Sequence, residues 1–201
     1  MNENNVPGTI ESAAIRGGDQ AGVAEVPDKF KRIIEQNPSP ERVCAELARL
    51  LRVQQDGVAL LRLQNNMLMF LVPARLRTAG TIPISSPAVA ARTAATKTTM
   101  LSNTFVKVRH ASVFEGIKLD NGGEGATPTP IQKLMSVPIF REDKSVVGVV
   151  QVSRKGKDAA AAGPDFTHED LHQLEDVAAL IAKLPWMQDG DAPLGQSLER
   201  L

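Results

Sequence analysis

The chain has 201 residues with 23 basic and 23 acidic side chains, the size of one domain with flanking tails and no formal net charge. That balance argues against a protein whose business is phosphate backbones, and a chain with 3% aromatic residues and no tyrosine offers no base-stacking platform. One cysteine excludes an internal disulfide and a Cys-based zinc site. No apolar run reaches the length of a membrane span, and the start lacks a basic-then-apolar signal pattern. A soluble cytoplasmic protein is expected, with neither nucleic acid nor membrane as partner.

Residues 1–27 carry few large apolar side chains and are expected to form a disordered tail, because they cannot bury enough surface to offset ordering entropy. Phe30, Ile33 and Ile34 begin a helical rhythm that Pro38 and Pro40 interrupt. Ser39 is placed to cap a second helix with Pro40 in its first position, and Val43, Cys44, Leu47, Leu50 and Leu51 share one face of it. Val58 to Leu63 and Met67 to Val72 are β runs around Asn65 and Asn66, which tolerate the positive φ of a tight hairpin turn. Pro87 to Thr96 reads as a short helix capped by Ser85 or Ser86. Met100 to Val106 holds a short strand and Ser112 to Leu119 a weak helical turn. Residues 120–130 (DNGGEGATPTP) are a loop by composition, and a candidate lid.

Ile131 to Lys155 organises the chain. Two runs rich in Val and Ile flank the charged turn Arg141 to Lys144, so a β-hairpin is predicted. Val146, Val147, Val149, Val150 and Val152 are nearly continuous, which predicts a strand covered on both faces. Gly148 inside it signals a bulge or a close approach. Thr167 caps a last helix with Asp170 in a capping-box position, and Leu171, Leu174, Val177, Ala178 and Ile181 form its apolar stripe. Pro185 stops that helix, and residues 185–201 are expected to be a loose tail.

The stretches Leu134 to Phe140 (LMSVPIF), Gly148 to Val152 (GVVQV), Lys155, Phe166 to Leu174 (FTHEDLHQL) and Ala91 to Asn103 (ARTAATKTTMLSN) resemble a GAF domain, a sensory module related in shape to PAS domains. The resemblance spans Phe30 to Leu184 and is most specific in its C-terminal half. It implies an α+β fold for residues 28–184: a central antiparallel sheet of five to six strands, first and last helices together on one face, and the middle segment over the other, enclosing a cavity. Cyclic-nucleotide-binding members carry Asn-Lys, then Phe, then Asp-Glu. Here those positions read Arg154-Lys155, Phe166 and Asp170-Leu171, so the Asn and the final Glu are missing while a Lys and an acid remain for the supporting ion pair. Some bilin-binding members use a cysteine in the middle segment, and none occurs between Ser85 and Pro130. The methionine-sulfoxide-reducing members use several pocket cysteines, whereas Cys44 stands alone on the first helix face, in the manner of a small buried apolar residue.

His168-Glu169-Asp170-Leu171-His172 satisfies the H-E-x-x-H zinc pattern, in which two imidazoles four apart hold Zn²⁺ and the Glu activates water. Its position in the first, exposed turn of a capped helix favours a solvated helix start, and no further histidine follows. No enzyme activity and no resident cofactor or metal are expected. The ligand-binding candidates are Arg92, Phe105, His110, Phe114 and Ser136. The expected function is a regulatory module that takes a small molecule in its cavity and signals through an unidentified protein or through a homodimer formed by Val43, Leu47, Leu51, Leu174, Ala178 and Ile181. The alternative is a dimerisation or scaffold module whose cavity is filled by Leu101, Phe105, Val113, Phe114 and Ile117.

Overall fold

The computed structural model describes residues 26–78, 80–105 and 129–188. The predicted hairpin is its centre. Strands β5 (Ile131–Phe140) and β6 (Val146–Lys155) pair antiparallel around a turn in which Lys144 takes a positive φ of 65°. Both are buried along nearly their whole length, as two-sided coverage requires. Ile139 pairs with Gly148 and Phe140 with Val146, which leaves Val147 as the extra residue of a bulge. Gly148 also meets a close approach: a Cβ there would lie 2.3 Å from the Leu61 carbonyl oxygen and 2.6 Å from Met187 Cε.

Strand β1 (Val58–Gln64) pairs with β6 on its other edge and with β2 (Met67–Val72) through Asn65 and Asn66, both at positive φ (51° and 60°). Adding β3 (Thr81–Pro83) and β4 (Met100–Ser102) gives a six-stranded antiparallel sheet in the order β3-β2-β1-β6-β5-β4. The Val- and Ile-rich hairpin strands are thereby interior to the sheet, where both faces are covered.

One face carries helices α1 (Asp28–Glu35), α2 (Pro40–Leu50) and α4 (His168–Ile181). Ser39 Oγ accepts from the Arg42 N–H at the start of α2, with Pro40 in the first turn. Thr167 and Asp170 form a reciprocal capping box at the start of α4. Val43, Leu47, Leu51, Leu174, Ala178 and Ile181 are each at most 2% exposed and pack in one cluster with Leu60, Met135 and Val150 of the sheet. They cannot form the homodimer surface expected of them, because one apolar face per helix is used up in covering the chain's own sheet. After Leu184 the chain does not loosen at once. Helix α5 (Pro185–Gln188) turns back with Met187 buried, so the expected tail begins as packed structure.

The opposite face is covered by α3 (Val89–Thr96), whose Ala90, Ala91 and Ala94 pack over Ala59, Leu61, Phe70, Leu134 and Val149. Small side chains on α3 let the helix lie close to the sheet. No serine caps α3. Ala88 holds the N-cap position, and Ser86 Oγ instead accepts from the Ala88 N–H, two residues on, in a turn. The helix therefore starts two residues later than Pro87.

Candidate functional site

The layer between α3 and the sheet is apolar except for a short polar row. Ser136 on β5, fully buried, lies 2.8 Å hydroxyl to hydroxyl from Thr93 on α3 and accepts from Gln151 Nε2 on β6 at 3.1 Å. Ser136 and Gln151 are register partners, so adjacent strands bring their side chains to one face. One step along β6 on that same face, Ser153 Oγ donates to the Gly57 carbonyl at 3.1 Å. Thr93, Gln151 and Ser153 are each at most 4% exposed. Three elements thus converge on one hydroxyl inside an apolar layer, and the row carries no formal charge.

Of the sequence-predicted candidates, Ser136 lies at the centre of this row. Phe105 is 1% exposed and packs in the same layer. Arg92 is exposed, between the buried Ala91 and Thr93, so it stands outside the layer it was expected to line. His110, Phe114, Val113 and Ile117, together with most of the proposed 120–130 lid, fall outside the described residues. Leu101, expected to fill the cavity, packs instead against the cluster on the helix face of the sheet. Sequence reasoning missed Thr93 and Gln151. The signal was present in Gln151: a long polar side chain in a strand already read as covered on both faces must find a partner inside.

A second constellation lies where β6 runs toward α4. Arg154 donates to the carbonyls of Arg52 (2.9 Å) and Leu51 (3.1 Å) at the end of α2, and its guanidinium sits 4.6 Å from the Phe166 ring centroid. Desolvation holds Arg154 below the ordinary arginine range, and Asp170 acts in the opposite direction. Lys155 does not pair with Asp170. It points to the other side and bonds Asp56 Oδ2 at 2.6 Å and the Asp56 carbonyl at 2.9 Å. The reason is strand alternation: consecutive residues of β6 face opposite ways, so the acid at the start of α4 faces Arg154.

The zinc-like pattern resolves into surface chemistry. His168 and Glu169 are exposed, and His172 Nδ1 lies 3.1 Å from Glu175 Oε2. Among the described residues no three His, Cys, Asp or Glu side chains come together to hold a metal. Cys44 is 3% exposed, and burial, with Glu41 as the second cause, pushes its thiol up to about 12. No helix among the described residues is long and apolar enough to cross a membrane.

The sequence matches the GAF domain model over residues 41–184, more than half of the chain. The chain belongs to the GAF domain family. Solved structures share the fold. The GAF domain of an Acinetobacter phosphoenolpyruvate-protein phosphotransferase matches with a TM-score of 0.59 at 12% identity, over 83% of this chain and 96% of that one. The corresponding domain from Coxiella burnetii gives 0.57 at 8% identity, over 78% and 88%. A type II free methionine-R-sulfoxide reductase from Thermoplasma acidophilum gives 0.52 at 15% identity, over 77% and 94%. At these identities the likeness is one of fold. No curated protein sequence matches the chain. Within this GAF domain, the α3 face of the sheet holds the buried polar row, and the Arg154–Phe166–Asp170 group joins β6 to both long helices.

Proposed function

We propose that this GAF domain is a non-catalytic regulatory module that binds a small, uncharged, hydrogen-bonding molecule between α3 and the sheet and signals through a partner protein. The observation that carries this reading is the Thr93–Ser136–Gln151 row. Mutual hydrogen bonds offset the cost of burying these hydroxyl and amide groups, so the row fixes a specific polar geometry in the apolar layer where apolar side chains would have served packing alone. A few convergent polar groups in apolar surroundings are what fixes the orientation of a small ligand. The row's lack of charge favours an amide, alcohol or carbonyl compound over an anion. Cys44, a single buried thiol held protonated, supports a reading without thiol chemistry despite the fold shared with a sulfoxide reductase.

A second reading is favoured by Phe105. Buried at 1% exposure in the same layer, it supports a module filled by its own side chains that acts only by interaction. Thermal unfolding against a panel of neutral amides, alcohols, amino acids, cyclic nucleotides and tetrapyrroles separates the two. A ligand at a hundredfold its Kd adds about 2.7 kcal/mol to stability, a rise of roughly 5–10 °C in Tm for a domain of this size. A rise with a neutral compound supports the first reading. No rise across the panel supports the second, and a rise with an anion alone overturns the choice of ligand class.

A further inference from the structure

Helix α5 and the turn before α2 lie outside the family-matched residues 41–184, yet they hold each other. Trp186 Nε1 donates to the Pro38 carbonyl at 2.8 Å, across the whole length of the domain sequence. Three further contacts fix α5 on different elements. Arg62 of β1 donates to the Trp186 carbonyl at 3.3 Å, and Arg141 at the hairpin turn donates to the Gln188 carbonyl at 3.2 Å. Met187, 1% exposed, sits over Gly148, where a Cβ would come within 2.6 Å of its terminal methyl. The missing side chain at Gly148 is thus the seat for α5, on the central strand that also carries Gln151.

We propose that α5 is a clasp: a detachable turn that, when seated at Gly148, ties the two flanks of the domain together, and that opens without unfolding the sheet. Seat and clasp differ in stability. The seat is on β6, paired on both edges and buried on both faces. The clasp is one helical turn of four residues, held by the buried Met187, the half-buried Trp186 and a few hydrogen bonds, and such short elements open well before the core does. The clasp itself is testable without any ligand.

Trp186 is the only tryptophan in the sequence, so its fluorescence reports the clasp alone. In the full chain, Met187→Ala is expected to red-shift the emission and raise quenching by iodide several-fold. It should leave the far-UV dichroism of the sheet unchanged, while amide exchange in residues 28–37 accelerates. Unchanged emission and quenching would overturn the proposal, as would an emission shift that comes only with loss of the sheet signal. Gly148→Ala is the stronger lesion but also crowds the Leu61 carbonyl at 2.3 Å and threatens the sheet, so Met187→Ala decides.

Discussion

Asn103 presents both ends of its side-chain amide to the backbone of Phe166: Nδ2 donates to the Phe166 carbonyl and Oδ1 accepts from its N–H, each at 2.9 Å. The pairing mimics a rung of a sheet and clips the chain after β4 to the chain before α4. Two residues on, Phe105 enters the α3 layer, and Phe166 itself lies under Arg154, which holds the end of α2. One short segment therefore touches both faces of the sheet. Asn103→Ala removes two hydrogen bonds and is expected to cost about 1–3 kcal/mol in urea unfolding. Asn103→Asp should not rescue it, since a carboxylate oxygen would face the Phe166 carbonyl. Losses below about 0.5 kcal/mol in both variants, less than a typical single hydrogen bond contributes, would contradict the clip.

Lys133 and Asp165 form an unequal pair. The Lys133 side chain is 4% exposed, and its Nζ lies 2.7 Å from Asp165 Oδ1 and donates to the Gly163 carbonyl at 2.5 Å, whereas Asp165 is 69% exposed. Removing the acid strands a buried charge, while removing the amine leaves a carboxylate that water solvates. Asp165→Ala is expected to cost about 1–3 kcal/mol and Lys133→Met, which keeps the apolar stem, under about 1 kcal/mol. Denaturant unfolding of both variants checks the order, and the reverse order would refute it.

Cys44 predicts an alkaline limb of stability. Its thiol is raised in the folded chain from an ordinary 9.0 to about 12. The folded state therefore binds more protons than the unfolded state between those values, and stability must fall as pH rises. The contribution is complete below pH 9 and is lost progressively toward pH 12. Cys44→Ala should flatten that limb relative to wild type. Below pH 9, a thiol reagent should react with Cys44 only at the rate of unfolding. Prompt native-state modification would show that the thiol is accessible.

Ser136 is the hub of its row, so the effects of removing it and its neighbours should not add. Ser136→Ala leaves the Thr93 hydroxyl and the Gln151 amide without their shared partner and is expected to cost about 1–3 kcal/mol. Thr93→Val keeps the Ser136–Gln151 bond and should cost less. A double-mutant cycle by thermal or urea unfolding should give a coupling of about 0.5–3 kcal/mol. Strict additivity would show that the two hydroxyls do not interact.

Local signals were readable in advance because each closes within a few residues. The Asn65–Asn66 turn, the Thr167–Asp170 capping box and the doubly covered Val-rich strand follow from backbone preference and side-chain period alone. What was not readable depends on register between distant segments. Lys155 finds Asp56 on β6's far side, Leu101 turns to the helix face, and Trp186 reaches Pro38, each through the alignment of segments far apart in sequence. The same holds for the candidate site. Ser136 is among the sequence candidates, but that Thr93 and Gln151 would meet it required the sheet order and the seat of α3.

The central claim, that a small neutral molecule binds at the polar row, is tested most directly at Gln151 itself. In ¹⁵N-labelled protein its side-chain amide gives a resonance of its own, shielded by burial and by its bond to Ser136. Titration with the neutral compounds of the panel should shift that resonance saturably, together with the backbone amides of residues 149–153 and 93. Saturable shifts confined to exposed residues, or none at any concentration that leaves the fold intact, would contradict the claim and leave the side-chain-filled module.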